Sequence, residues 1–157
     1  MKKVFLTVLA VALVAVTAVQ AQKVNKSALV SKIEKSDADI ADAKKGAKAA
    51  TWINRGKAFY EAAIEPTKNL FVNMDAAMLK LAVGEPASTE SVTLVNVPYE
   101  AWVYPWFTAY IKDGKIATWS QTQWVIEDAP AKAIEAYNKA YAVSYTHLRA
   151  HETAANL

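Results

Sequence analysis

The stretch "FTAYIKDGKIATWS" at residues 107–120 decides the fold of this chain. Its two halves are rich in β-branched and aromatic residues, which favour strands. Asp113-Gly114 lies between the halves, and an Asp-Gly pair between two such runs is the strongest short-range signal for a two-residue hairpin turn. The stretch therefore predicts an antiparallel hairpin with two cross-strand pairs: Ile111 opposite Ile116, and Thr108 opposite Trp119.

The residues around this hairpin extend the predicted β element to about residues 91–124, a segment rich in Val, Thr, Tyr and Trp. In an extended chain, Trp102, Tyr104 and Trp106 share one face. That face either packs against helices as core, or it is an exposed surface that stacks on a sugar or anchors a protein partner. These three residues are therefore the candidate ligand or partner contacts, and both alternatives stay open.

Helical patterns lie on both sides of the β element. Residues 22–50 are rich in Ala and Lys and space their apolar residues helically. Residues 48–64 and 67–82 repeat this pattern, and residues 127–142 return to it. The sequence predicts one small domain over residues 22–142, mainly α (α+β), in which helices flank a small β-hairpin element.

The first 21 residues have the three parts of a secretory signal peptide. Lys2 and Lys3 precede an uncharged apolar run at residues 4–19, and Ala21 supplies the small residue before the cleavage point. The run of about 16 residues is shorter than the roughly 20 that span a bilayer. We therefore expect cleavage before Gln22, export to the periplasm or the cell exterior, and no membrane association after the signal peptide is removed.

The charge of the chain argues against a nucleic-acid partner. The chain has 18 Lys and Arg against 15 Asp and Glu. Four of these residues lie in the signal peptide or in the C-terminal tail (residues 143–157), and without them the net charge is about +1. Binding to nucleic acid requires a strongly basic surface, which such a chain does not offer. The chain has no Cys, so no disulfide stabilises it.

Few groups suited to catalysis are present before residue 143. Both histidines, His147 and His151, lie in the C-terminal tail. The rest of the chain therefore contains no Cys–His or Ser–His–Asp nucleophile and no Gly-rich phosphate loop. Two histidines four residues apart form a partial metal site that still needs a third ligand. We expect no catalytic residue, no cofactor and no metal site.

The C-terminal tail has an unusual sequence. Residues 143–153, "VSYTHLRAHET", closely resemble the conceptual translation of a transposase-based sequencing adapter at every position. The last four residues fit a variable sample index followed by further adapter sequence. We therefore expect the tail to be non-native and the chain to be a truncated N-terminal fragment of a longer protein.

Two of the predicted helices resemble the helices of a tetratricopeptide repeat. Small, large and small residues at spacings of four and three in "AKAIEAYNKAY" match the second helix of that family, and a large residue, a small residue and an aromatic residue in the helix at 48–64 match the first. The candidate repeat-packing residues are Trp52, Gly56, Phe59, Ala133, Tyr137 and Ala140. Arg55 departs from the family, which prefers Leu there, and about 70 residues separate Gly56 from Pro130.

The whole chain is also similar to exported repeat proteins of Gram-negative bacteria, particularly those of Bacteroidota type. The resemblance implies antiparallel helix pairs of tetratricopeptide-like type and an exported, non-catalytic scaffold that binds a protein partner. Two alternatives stay open: a carbohydrate or small-ligand module that uses the aromatic hairpin, and the structural N-terminal part of a larger enzyme.

Overall fold

A computed structural model describes residues 24–155, with the side chains up to Thr146 and that of Arg149. The expected signal peptide at residues 1–21 lies outside the described residues. The described residues form five helices and four strands, so the predicted α+β class is confirmed. In chain order the elements are α1 Lys26–Ala41, α2 Ala43–Gly46, α3 Ala49–Ile64, α4 Ala76–Val83, β1 Ser88–Leu94, β2 Val97–Val103, β3 Phe107–Lys112, β4 Lys115–Gln121 and α5 Ala129–Ala155.

Helices α1, α3 and α5 form one layer, called here the helix layer, in which α3 packs against both α1 and α5. Its core contains one large ring, from Phe59, surrounded mainly by alanines and small aliphatic residues. The buried members are Leu29, Phe59, Ala62, Ala63, Val125, Ala129 and Ala133. Small side chains let the helix backbones approach closely, and this approach buries apolar surface without large side chains.

The corner between α1 and α3 is made by the short helix α2. Asp42 caps the N-terminus of α2, and its carboxylate accepts hydrogen bonds from the backbone N–H groups of Lys44 and Lys45 at 2.9 and 2.8 Å. These bonds lower the pKa of Asp42. Gly46 ends α2 where a Cβ atom would lie 2.5 Å from the carbonyl oxygen of Ile40. Only glycine fits this corner without a shift of the backbone.

The four strands form an antiparallel sheet in the order β1-β2-β3-β4. The sequence therefore predicted too few strands, since only a single hairpin was expected over residues 91–124. The predicted turn at Asp113-Gly114 is confirmed, with φ angles of 51° and 73°. A second two-residue turn at Val95-Asn96, with φ angles of 49° and 63°, joins β1 to β2. Val95 is 95 % exposed and takes a backbone conformation that a β-branched residue rarely adopts, so the sequence did not indicate this turn.

One of the two predicted cross-strand pairs forms and the other does not. Ile111 lies opposite Ile116, as predicted. A register shift between Tyr110 and Ile111 then displaces the rest of the hairpin by one residue. Thr108 therefore lies opposite Ser120, and Trp119 lies opposite Ala109. An extra residue of this kind cannot be read from a period-two pattern, because both registers keep strand-forming residues in the strand.

Helix α4 covers one face of the sheet, and together they form the sheet layer. Large side chains fill the space between them, and the fully buried ones include Phe107, Leu79 and Ile116. The predicted helix over residues 67–82 was too long, since α4 begins only at Ala76. The chain before it is held by β4 instead: Asn73 N–H donates to the carbonyl of Ile116 at 2.8 Å. In return, the N–H of Ile116 donates to the carbonyl oxygen of Met74 at 2.8 Å.

Trp106 and Gln121 join the helix layer to the sheet layer. Trp106 packs against the buried cores of both layers. Gln121, at the end of β4, donates from its side-chain amide to the carbonyl oxygen of Ala63 in α3 at 2.7 Å. Its amide oxygen accepts a hydrogen bond from the Thr67 hydroxyl at 3.1 Å. Because Ala63 lies in the last turn of α3, this contact satisfies a carbonyl that has no partner within the helix.

Candidate functional site

Helices α3 and α5 pack closely together at Gly56. A Cβ atom on Gly56 would lie 2.7 to 2.8 Å from three carbon atoms of the Tyr137 ring. Real Cβ atoms do not come so near to other heavy atoms, so the aromatic ring occupies space that any other residue at position 56 would need. The glycine therefore lets the Tyr137 ring lie against the backbone of α3.

The other candidate repeat-packing residues lie around this contact. Phe59 and Ala133 belong to the same buried core, and they are 2 % and 4 % exposed. Ala140 lies two helical turns after Ala133 on the same side of α5 and is also buried. Trp52 is half-buried: its indole N–H donates to the Gly46 carbonyl at 2.8 Å, and Lys139 Nζ lies 5.9 Å from the ring centroid. The structure thus brings all six residues to the α3–α5 pair and its margins.

Arg55 has a structural role of its own at this pair. Its guanidinium forms an ion pair with Asp37 and donates to the Ser36 hydroxyl at 3.0 Å, so it connects α3 to α1. The same group lies 4.9 Å from the ring centroid of Phe59. A leucine could fill the space but could not make either polar contact. Lys32 and Glu61 form a second α1–α3 ion pair, and the order of the two pairs shows that these helices are antiparallel.

Next to the buried side of α5 runs a row of exposed large residues. Ile134 is 62 % exposed, Tyr141 is 73 % exposed and Tyr145 is 51 % exposed. Spacings of seven and four place the three on one strip of the helix. Tyr137, which is 38 % exposed, borders the row and the α3 contact at once. These four residues are called the α5 apolar row.

The α5 apolar row was missed among the sequence-derived site residues, which include only Tyr137 from it. Its signal was nevertheless present, because Ile134 and Tyr141 each follow a small buried residue by one position. Two apolar strips side by side on one helix indicate packing on two sides. The rings of Tyr141 and Tyr145 stack with centroids 6.3 Å apart. Tyr145 belongs to the C-terminal tail, so only the first three residues of the row precede residue 143.

The aromatic residues considered as ligand contacts lie in the sheet layer. Trp102 is 8 % exposed and Tyr104 is 4 % exposed. Trp106 is partly buried between the two cores. The three do not continue one extended face, because β2 ends at Val103 and the chain bends before β3. They offer little surface to a ligand.

Tyr104 is unusual among the buried aromatic residues. Its ring stacks on Phe107 with centroids 4.8 Å apart. Its hydroxyl is buried and has no hydrogen-bond partner among the described residues, and the same holds for the indole N–H of Trp102. Burial, with a smaller contribution from Glu85, raises the pKa of Tyr104 to about 12. The tyrosine is therefore uncharged throughout the physiological range.

Among the described residues, no group of three or more His, Cys, Asp and Glu side chains is placed to hold a metal ion. His147 and His151 lie along α5, and their side chains are outside the described set. Comparison of the chain with protein-family models, with curated proteins and with solved structures finds no match.

Proposed function

We propose that this chain is an exported, non-catalytic scaffold that binds a protein partner through the α3–α5 helix pair. The α5 apolar row carries this proposal. Ile134 and Tyr141 expose most of their surface on one strip of α5, beside a side that is already buried against α3. Large apolar residues that share an exposed strip are typical of a surface on which another protein element packs.

The proposed architecture is a tetratricopeptide-like helix pair into which the sheet layer is inserted. Its first helix is α3 and its second is α5, which are neighbours in space but are separated by about 64 residues of chain. The approach of Gly56 to the Tyr137 ring supports the pairing, because small and large residues meet at the positions where the resemblance expects them. Arg55 fits as well, since this departure from the family supplies the contacts to α1.

Such a pair favours a helical partner. A helix pair of this type cannot bury both of its faces alone, and it is normally covered by a further helix. On α5 the residues that remain for this purpose are Ile134, Tyr137 and Tyr141. A partner helix with apolar residues at intervals of three and four would match their spacing.

Export is proposed from the sequence of the first 21 residues, with the periplasm or the exterior of a Gram-negative cell as the destination. None of the described helices combines the length and the apolar composition that a bilayer-spanning segment requires. The carbohydrate alternative has less support, because Trp102 and Tyr104 are buried and expose little ring surface for stacking.

Site-specific crosslinking in cells that export the chain tests the proposal. The photoreactive residue p-benzoylphenylalanine is placed at position 141, inside the α5 apolar row, or at position 135, which is exposed on another side of α5. We expect position 141 to give one discrete crosslinked protein and position 135 to give none. Adding Ile134→Glu should abolish the adduct, because a charge in the row opposes burial. Equal adducts from both positions, or none from position 141, would contradict the proposal.

A further inference from the structure

Strand β1 presents an open edge. In the sheet order β1-β2-β3-β4 it pairs only with β2. Among the described residues, none forms a backbone hydrogen bond with the side of β1 that faces away from β2. The opposite edge is different, because backbone groups of residues 73–75 pair with β4. Within residues 24–155, one edge of the sheet is thus covered by the chain itself and the other is uncovered.

The turn at Val95-Asn96 shows which backbone groups of β1 face outward. A two-residue turn closes on a hydrogen-bonded pair, here Leu94 with Val97, and bonded and non-bonded pairs alternate from there. The N–H and C=O groups of Thr89, Ser91 and Thr93 therefore point away from β2. Pro98 agrees with this phase: it lies opposite Thr93 and has no N–H to donate.

This edge lacks the features that normally prevent strand pairing. Natural edge strands are usually protected by Lys, Pro, a bulge or a covering segment. The sequence of β1, "STESVTL", has neither Lys nor Pro, and its register with β2 is continuous over all seven residues. Its single charged residue is Glu90. Such an edge is suited to adding an extended strand from another chain.

An acidic cleft of about 670 Å³ lies beside the same edge. Trp102 and Ile111 line it, and Glu100 lies opposite Ile111 on the side of the sheet that α4 partly covers. Its lining includes the acidic residues Glu100 and Asp113 and one basic residue, Lys112. Side chains of a strand added to β1 would alternate, and every second one would point toward this cleft.

We propose that β1 binds an extended segment of a partner protein as a fifth strand of the sheet, with Lys or Arg at every second position facing the acidic cleft. Backbone hydrogen bonds to β1 hold the segment, and the carboxylates select its basic residues. A second copy of this chain fits less well. Pairing two β1 strands would bring Glu90 and the acidic cleft of each copy close to those of the other. This surface is separate from the α5 apolar row, and it does not depend on the scaffold proposal.

Fluorescence anisotropy of a labelled peptide of alternating Lys and Val tests the inference on the purified chain. Saturable binding is expected, and replacing every Lys by Glu in the peptide should abolish it. Two further peptides are N-methylated at the Lys positions or at the Val positions. Only one of these sets of N–H groups faces β1, so one peptide should bind and the other should not. Equal binding of both would overturn the proposal, since it would show charge attraction without strand pairing.

Variants of the protein locate the site. Ser91→Pro removes an outward N–H, which an edge strand tolerates, and we expect it to weaken binding about tenfold or more. Glu100→Lys should have an effect of similar size, whereas Glu127→Lys, a matched charge reversal at an exposed residue outside the cleft, should have none. An equal loss with Glu100→Lys and Glu127→Lys would overturn the assignment. A second result would also overturn it: the chain binds no peptide but forms a dimer, and Ser91→Pro dissociates that dimer. The strand that pairs with β1 would then come from a second copy of the chain.

Discussion

The helix layer and the sheet layer bury apolar surface in opposite ways. In the helix layer, helices approach each other over small residues such as Gly56, Ala62 and Ala133. In the sheet layer, large side chains such as Phe107 and Leu79 fill the distance between α4 and the strands. The first arrangement leaves no room for added atoms, and the second depends on the atoms already present. The helix layer should therefore be most sensitive to enlargement and the sheet layer to truncation.

The largest expected effect is truncation at the centre of the sheet layer. Phe107 is fully buried and stacks on Tyr104, so Phe107→Ala should lower the free energy of unfolding by about 3 to 5 kcal/mol. Urea denaturation followed by tryptophan fluorescence measures the change. Phe71→Ala, at a residue that is 53 % exposed, is the control and should cost less than about 1 kcal/mol. Similar costs for the two variants would break the comparison between the layers.

Enlargement in the helix layer should have the next largest effect. Gly56→Leu places atoms where the Tyr137 ring lies and should destabilise the protein by about 1 to 3 kcal/mol. Lys57→Leu, at the exposed neighbouring position, controls for the change in helix composition. In a Tyr137→Ala background the cost of Gly56→Leu should largely disappear, because the ring is gone. If the cost persists in that background, overlap with the Tyr137 ring is not its cause.

Removal of the buried hydroxyl of Tyr104 should stabilise the sheet layer. Tyr104→Phe keeps the ring and removes a polar group without a described partner, so stability should rise by about 1 kcal/mol at neutral pH. The pKa of about 12 in the folded state lies above the ordinary value of 10.0. The unfolded chain therefore releases this proton first, and stability is retained below pH 10 and lost as the pH rises toward 12.

Urea denaturation at pH 8 measures the effect of removing the Tyr104 hydroxyl, and the same measurement at pH 11 adds the effect of its ionisation. Between these two pH values the wild type should lose about 1.4 kcal/mol more than Tyr104→Phe, because the unfolded chain has released the Tyr104 proton at pH 11 and the folded chain mostly has not. Tyr60→Phe, at a residue that is 52 % exposed, should follow the wild type. Equal alkaline losses in all three proteins would show that Tyr104 does not titrate at a raised pKa.

The smallest expected effect is that of deleting residues 143–157. Of the side chains that the structure describes in this tail, only that of Val143 is half-buried, and the others are exposed. Deletion should change the free energy of unfolding by less than about 0.5 kcal/mol. A loss above about 1 kcal/mol in thermal or urea denaturation would show that the tail supports α5 and would contradict its interpretation as non-native.

The sequence predicted those parts of the molecule whose local chemistry and tertiary structure agree. The turn at Asp113-Gly114 needs two residues that accept positive φ, and both are present, so the hairpin around it was found. The turn at Val95-Asn96 contradicts the local preference of Val, and the sheet was consequently underestimated. Residues 67–75 have a helical pattern, but their backbone groups bond to β4 instead. Tertiary hydrogen bonds of this kind are not encoded in periodicity.

The candidate site shows the same division. The six repeat-packing residues could be selected from their spacing, because small and large residues alternate there in a recognisable order. The exposure of the α5 apolar row depends on tertiary packing, because α3 occupies the neighbouring side of α5 and leaves this strip uncovered. The open edge of β1 required the strand order, which no single stretch of sequence supplies.

The insertion of the sheet layer between α3 and α5 also bears on how the chain folds. A helix pair joined by a short turn can dock early, whereas here the loop to be closed is about 64 residues long. Relative to a loop of about four residues, its closure costs roughly 2.5 kcal/mol more in chain entropy. The four strands are all linked by short connections, so they can form before that closure. We therefore expect the β meander to form first and the docking of α3 on α5 to follow, with the contact of Gln121 to Ala63 made as the two layers meet.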